Sequence, residues 1–239
     1  RKLKIMKKTF LFLTLSTLVI ASTFARDISE KRDLAGFTGG LTLNTMGLQK
    51  NSTYSNSKNS VKPGGIVGVN YEHRCKKVFA IEIALNYINK GTQQLIQDPS
   101  LNRSYYRLNF HSLEIPVIGK FYMGKKKIFN LNFGGYASYC VDLQSRTKID
   151  FKNSAITDID NKENNLLKDH NPKDINGQRP FRAYDAGINV GFEFVSKMGL
   201  GVGARVQQGF VDFTNPKFIF NDDKKVLHTN AIIYMLFKI

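Results

Sequence analysis

Cysteine, acidic residues and long apolar runs are all scarce in this chain of 239 residues. Its two cysteines, Cys75 and Cys140, lack the spacing of metal ligands, and the strands predicted below hold them far apart, so we expect no disulfide between them. Beyond residue 25, no stretch approaches the roughly 18 uninterrupted apolar residues of a membrane helix. If the mature chain enters a membrane, it must do so with β-strands.

The N-terminal segment has the layout of a secretory leader. Basic residues at positions 1, 2, 4, 7 and 8 precede the apolar run 10–20, and Thr23-Phe24-Ala25 is a small-x-small cleavage pattern. The run is well short of the ~20 residues that a spanning helix needs, and no lipid-anchor cysteine follows it. We predict a signal peptide over residues 1–25, with residues 1–5 an upstream artefact, followed by one domain over residues 26–239.

Basic residues outnumber acidic ones, 35 Lys and Arg against 19 Asp and Glu. Removing the five basic residues of the leader lowers the net charge from +16 to about +11. Because an exported protein seldom meets nucleic acid, we expect outer-membrane lipid and lipopolysaccharide as the anionic partners, and no nucleic acid. Simple solvation of loop charges is the alternative.

Apolar residues alternate with small or polar ones in eight segments, which is the period-2 pattern of β-strands. In the fourth segment the alternation changes parity at Ser112-Leu113, which predicts a β-bulge there and places Arg107 on the polar face, opposite Leu108 and Phe110. The predicted strands cover residues 37–44, 67–72, 79–87, 105–122, 129–139, 184–194, 200–207 and 228–239.

Short turns and long polar loops separate these strands in alternation. The turns lie near residues 74–77, 124–127 and 196–199, and the loops at 49–62, 89–104, 142–179 and 215–225. Bacterial outer-membrane barrels have an even number of strands, short periplasmic turns and long external loops. We therefore predict an all-β fold, an eight-stranded antiparallel transmembrane β-barrel with an up-and-down meander.

The polar face indicates which side of the sheet lies inside. Gly201 and Gly203 beside Glu193 and Arg205 suit a crowded interior better than a solvated surface. A soluble periplasmic ligand-binding barrel, with its apolar residues inside, is the alternative, and recovery without detergent would identify it.

Charged residues recur on the predicted inner face. An eight-stranded barrel is only wide enough for its own side chains, so we expect these charges to pair into a plug, with a proton or ion path as the alternative. The predicted interior network consists of Glu82, Arg107, Glu114, Lys120, Asp185, Glu193, Arg205 and Lys238.

The sequence offers no convincing catalytic group. His111 adjoins Ser112, but neighbours on a strand point to opposite faces and cannot form a nucleophile and base pair. The acidic residues of loop 142–179 lack the glycine and final glutamate of a calcium loop. We predict no enzyme activity, cofactor or metal. An outer-membrane lipid-modifying hydrolase is the alternative.

Segment 113–122 reads LEIPVIGKFY, and glycine-rich segments 132–136, 185–194 and 199–205 follow it in order. Together they resemble the PorT-like outer membrane β-barrel family of Bacteroidetes, whose corresponding strand reads LEIPLLLKYY. The resemblance covers most of the mature chain. It implies an eight-stranded outer-membrane barrel, with a few members linked to protein secretion or gliding, and it implies no catalytic residue.

These observations together predict a monomeric scaffold in the bacterial outer membrane. Loop 142–179 is the expected contact surface for a protein partner. The alternation that ends at Phe237 and Ile239 is the kind of C-terminal strand that the barrel insertion machinery reads, although Phe is commoner at the last position.

Overall fold

The computed structural model of the chain describes residues 28, 31–46, 57–96, 101, 104–124, 127–152, 157, 159–163, 182–212 and 227–239. The predicted signal peptide lies outside these residues. No helix among them is long and apolar enough to cross a membrane. The described strands are β1 (Asp33–Met46), β2 (Ser57–Ser60), β3 (Lys62–Arg74), β4 (Phe79–Ile96), β5 (Ser104–Met123), β6 (Phe129–Ile149), β7 (Ile159–Glu163), β8 (Tyr184–Val195), β9 (Leu200–Gly209) and β10 (His228–Lys238).

Eight of these strands close into an antiparallel ring. The order is β1-β3-β4-β5-β6-β8-β9-β10, and β10 returns to β1 from Gly36↔Lys238 to Met46↔His228. Closure removes the free edges that an open sheet would expose. The eight-stranded up-and-down barrel predicted from the alternation is confirmed, and each predicted strand corresponds to one strand of the ring, the last extending beyond β10 by Ile239 alone.

Around the middle of the barrel most apolar side chains point outward, and the charged ones point inward. Leu41 is 70% and Ile233 65% exposed, whereas Glu114 and Lys120 are fully buried. A continuous apolar belt of this kind suits lipid, and the soluble alternative, with its apolar residues inside, does not fit it. On the long-loop side the belt ends in an aromatic row, because Tyr87, Leu113, Tyr139 and Tyr184 are successive cross-strand neighbours.

The predicted bulge belongs to the neighbouring strand. His111 pairs with Asp142 and Ser112 with Cys140, so Val141 is the extra residue, and the irregularity lies in β6. β5 keeps a single alternation throughout. Leu108 and Phe110 therefore point into the barrel, and Arg107 does not. The change from polar to apolar outward residues along β5 comes from the strand entering the lipid belt, not from a change of parity.

β4, β5 and β6 extend the sheet on the long-loop side. β4 continues to Ile96 and β6 to Ile149, so the loops predicted from residues 89 and 142 begin later than expected. β2 pairs with the end of β4, and β7 with the end of β6, which places two short strands inside segments predicted as loops. We call this extension the outer wall: β2, residues 92–96, 104–109 and 144–149, and β7.

Candidate functional site: the charged interior and the outer wall

Three glutamates surround two lysines in the half of the interior nearer the short turns. Lys120 Nζ lies 2.5 Å from Glu82 Oε2, 2.6 Å from Glu193 Oε2 and 3.5 Å from Glu72 Oε2. Lys238 Nζ donates to Glu72 Oε2 and lies 3.2 Å from Glu82 Oε2. All five side chains are buried, so the charges offset one another instead of being screened by water.

Arg205 and Tyr234 extend this turn-side cluster across the barrel. The Tyr234 hydroxyl donates to Glu193 Oε1 at 2.8 Å and accepts from Arg205 Nη2 at 3.1 Å. The guanidinium carbon of Arg205 lies 5.1 Å from the centroid of the same ring. Gly203 makes room for the ring, because a Cβ at this position would lie 2.6 Å from Tyr234 Cζ. A glycine on the inner face is thus what allows a tyrosine to fill the interior.

Apolar residues close the interior below the turn-side cluster. Ile28 is buried in one hydrophobic cluster with Leu34 and Leu236. Its N–H donates to the Lys197 carbonyl at 3.0 Å, and its carbonyl accepts from Arg74 Nη1 at 2.7 Å. Ile28, just after the predicted cleavage point, therefore covers part of the turn-side end of the barrel.

A smaller polar cluster occupies the half nearer the long loops. Lys90 Nζ lies 2.8 Å from Glu114 Oε2 and 3.4 Å from Asp185 Oδ2, and 4.2 Å from the centroid of the Tyr136 ring. The Tyr136 hydroxyl donates to Asp185 Oδ2 at 2.9 Å, and Gln207 Nε2 donates to Glu114 Oε1 at 2.7 Å. The two carboxylates of this cluster are thus bound by one ammonium group, one hydroxyl and one amide.

Buried apolar side chains lie beyond this loop-side cluster. Leu108, Phe110 and Leu143 point inward where a channel would need polar walls. Phe110 meets the His228 ring edge-on, with ring centroids 5.3 Å apart. The described interior is therefore filled by apolar side chains toward both ends and by paired charges between them.

A small cavity lies inside the barrel beside the turn-side cluster. This cavity of about 10 Å³ has room for roughly one water. Two of its lining groups, Asn86 Oδ1 and Arg205 Nε, make no hydrogen bond within the described part of the chain. The cavity is lined by Thr38, Ile66, Glu82, Ala84, Asn86, Arg205, Ile232 and Tyr234.

Arg107 lies apart from the other predicted network residues. Its guanidinium donates to Gln93 Oε1 at 3.1 and 2.7 Å on the outward side of the wall. Its assignment to the interior was wrong, because it rested on the parity change that β5 does not make. The predicted residues that the structure does bury inside are Glu82, Glu114, Lys120, Asp185, Glu193, Arg205 and Lys238.

Four buried charges escaped the sequence prediction: Lys62, Glu72, Arg74 and Lys90. Lys90 fell within a predicted loop, although it lies in β4 with its side chain inward. Glu72 shares the parity of Asn70 in β3, a signal that identifies it as inward-facing. Lys90 and Glu72 are central members of their clusters.

The outer wall carries a cross-strand row of polar and basic residues. Gln93, Arg107, Arg146 and Lys162 are successive neighbours from β4 to β7. Arg146 grips Asp160 with two hydrogen bonds, at 2.9 Å from Nε and 2.7 Å from Nη2. This hydrogen bonding lowers the pKa of the Asp160 carboxyl from its usual 3.8.

Cysteine and histidine side chains form no catalytic arrangement among the described residues. Cys75, exposed in a turn, and Cys140, buried, are free thiols. His111 Nδ1 lies 2.6 Å from the Tyr87 hydroxyl, and His170 is outside the described residues. No group of His, Cys, Asp and Glu in the described part of the chain could hold a metal ion.

Comparison with known proteins adds a family and several solved barrels. The family model described as "Outer membrane protein beta-barrel domain" matches residues 24–215. A search of curated protein sequences gave no match.

The solved structures that are similar in fold include three bacterial barrels. Ail, the attachment invasion locus protein of Yersinia pestis, is 7% identical with a TM-score of 0.43, covering 87% of this chain and 100% of its own. Neisserial surface protein A is 12% identical with a TM-score of 0.41, covering 87% and 98%. OprG of Pseudomonas aeruginosa is 11% identical with a TM-score of 0.38, covering 87% and 95%.

Proposed function

Because the chain belongs to the outer membrane protein beta-barrel domain family, we propose that it is a non-enzymatic, monomeric scaffold of the bacterial outer membrane that binds a partner through its outer wall and long loops. We further propose that it belongs to the PorT-like class of Bacteroidetes and is exported by the leader at residues 1–25. The strand motifs of segments 113–122 and 185–194 support that class.

The outer wall is the observation that carries this proposal. Its paired strands extend beyond the aromatic row of Tyr87, Tyr139 and Tyr184, and its outward face is polar and charged. Within the described residues, β7 pairs only with β6 and β2 only with β4, so each of these two strands has one unpaired edge. Short, polar edge strands of this kind disfavour nonspecific pairing with strands of other proteins, so that side-chain contacts determine which partner binds.

The filled interior favours a scaffold function and disfavours a pore function. Lys120 and Lys90 each occupy the space between carboxylates from several strands, and Leu108 and Phe110 are buried toward the loop side. Eight-stranded barrels are in general filled by their own side chains. Binding on the outside is the role that this arrangement leaves open.

Photo-crosslinking in living cells tests the proposal. A photoreactive amino acid is placed at Arg107 or Lys162 on the outer wall, and at Val190 in the lipid belt as the matched control. We expect a discrete protein adduct from the wall positions and none from Val190. Folded, membrane-inserted protein that yields no protein adduct from either wall position would contradict the proposal.

A further inference from the structure

The three short turns of the barrel are rich in lysine and contain no acidic residue. Turns 75–78, 124–128 and 196–199 hold two, three and one lysines, six in all. Lys76, Lys77 and Lys197 are exposed, as is Arg32 at the same end of the barrel, just before β1. Since the turns are spaced around the ring, these cations surround its rim.

The longest loop, on the opposite side of the barrel, has balanced charges by comparison. Segment 142–179 contains seven acidic residues and seven Lys and Arg. Its exposed cations are partly matched, as by the Arg146–Asp160 and Lys148–Asp150 ion pairs, with distances of 2.7 and 2.9 Å. The turns, by contrast, contain six lysines and no acidic residue.

Exposed apolar side chains stand next to these turn cations. Val78 follows Lys77 and is 57% exposed, Ile128 follows Lys127 and is 36% exposed, and Met198 follows Lys197 and is 48% exposed. The same pairing thus recurs in all three turns. A lysine beside an apolar residue suits a membrane interface, where the apolar group contacts acyl chains and the long lysine stem reaches the headgroup.

One exposed carboxylate stands beside these cations, at the start of β1. Asp33 Oδ1 lies 2.6 Å from both the Tyr71 hydroxyl and His73 Nδ1. This carboxylate offsets part of the charge of the neighbouring Arg32, whereas Lys76 and Lys77 lie exposed in the turn between β3 and β4.

We propose that this rim, the basic collar, binds anionic phospholipid headgroups of the inner leaflet of the outer membrane. The collar consists of Arg32, Lys76, Lys77, Lys127 and Lys197 with Val78, Ile128 and Met198. Short turns of outer-membrane barrels face the periplasm, so the collar lies at the level of that leaflet. Each basic residue near an anionic membrane surface contributes about 1 kcal/mol to such attraction, which corresponds to roughly fivefold in affinity. The collar goes beyond the proposed partner binding, which uses the opposite side of the barrel.

Lipid fits the collar better than an anionic cell-wall polymer does. A polymer in the aqueous periplasm would explain the cations and leave Val78, Ile128 and Met198 exposed to water. Acyl chains explain both. The apolar members therefore distinguish the two occupants.

Native mass spectrometry of the protein released from nanodiscs tests the proposal. The nanodiscs contain equal parts of phosphatidylglycerol and phosphatidylcholine, and the lipids retained on the protein are counted. The collar variant carries Arg32→Gln, Lys76→Gln, Lys77→Gln and Lys197→Gln. The matched control removes the same number of cations from the outer wall: Arg107→Gln, Arg146→Gln, Lys148→Gln and Lys162→Gln.

We expect wild type and control to retain phosphatidylglycerol preferentially and the collar variant to lose this preference by fivefold or more. Heat-modifiable gel mobility verifies that each variant is folded. If the fourfold variant does not fold, the double variant Lys76→Gln, Lys77→Gln replaces it, and we expect a smaller loss of preference from it. An unchanged preference in the collar variant, or an equal loss in the control, would overturn the proposal. So would binding to isolated peptidoglycan that the collar variant loses while its lipid preference is unchanged.

Discussion

Buried charges define this protein at the scale of single residues. Lys120 lies within 2.6 Å of carboxylate oxygens of two glutamates contributed by β4 and β8. Its position joins β5 to the adjacent β4 and to β8, two strands farther round the ring, so the cluster braces several strands against one another. Removing one partner of a buried ion pair leaves the other charge without compensation, which is generally more costly than the pair is stabilising.

Lys120→Met should destabilise the folded barrel by about 3–5 kcal/mol, because Glu82 and Glu193 lose their nearest cation. Arg107→Met is the matched control, since this residue lies in the same strand but outside the interior, and it should have little effect. Urea unfolding from lipid vesicles measures both. Equal stability of the two variants would show that the interior charges are not coupled as described.

Gly203→Ala should also destabilise the barrel, by about 1–3 kcal/mol. The new Cβ would lie 2.6 Å from Tyr234 Cζ and would displace the hydroxyl that binds Glu193 and Arg205. At Gly39, where a Cβ meets nothing within 4 Å, alanine should be tolerated. The unfolding midpoints of the two variants measure this difference. If Gly39→Ala lowered the midpoint as much as Gly203→Ala, the packing argument would be contradicted.

At the scale of secondary-structure elements, the outer wall is separable from the ring. β7 pairs with β6 but with no strand of the ring on its other side within the described residues. The barrel closes without it, because β6 pairs directly with β8. Elements with one paired edge and exposed side chains have lower local stability than strands of a closed ring.

The β6–β7 contact should weaken in acid. The folded-state pKa of Asp160 is depressed below 3.8 by Arg146, so the stabilising charged form is complete above that value and is lost as pH falls through the lower folded pKa. The carboxyl carbon shift of Asp160 in an NMR titration should have its midpoint below 3.8. Arg146→Gln should raise that midpoint, and an unaltered midpoint would contradict the pairing.

The alternation predicted the ring but not its extension. Within the lipid belt, the environment of each face is uniform, so the period of two identifies strands and faces unambiguously, as in β4 and β8. Beyond the belt both faces can be polar. Residues 89–96 and 142–149 therefore looked like loops, Lys90 was missed, and Arg107 was assigned to the wrong face.

The interior network could be predicted in composition but not in pairing. Charges on inward positions were readable from parity, which found Lys120 and Glu193. Which carboxylate meets which cation depends on strand stagger and on side chains that cross the barrel, as with Lys90 and Asp185. A single sequence does not reveal the strand stagger or the side-chain contacts across the barrel.

At the scale of the whole molecule, the barrel has a filled interior, an outer wall on one side and a basic collar on the other. Paired charges occupy the middle of the interior, and buried apolar residues such as Ile28 and Phe110 lie toward its ends. This distribution supports the proposal that the functional surfaces lie on the outside of the protein. The membrane belt then holds those surfaces at defined heights on its two sides.

Single-channel recording in planar lipid bilayers tests this account most directly. The purified, folded protein is inserted at high salt, and current is recorded at moderate voltage. A filled interior predicts no stepwise conductance from wild type. Reproducible, ion-selective steps from the folded wild-type protein would contradict the account, because they would require an open path past Lys120 and Lys90.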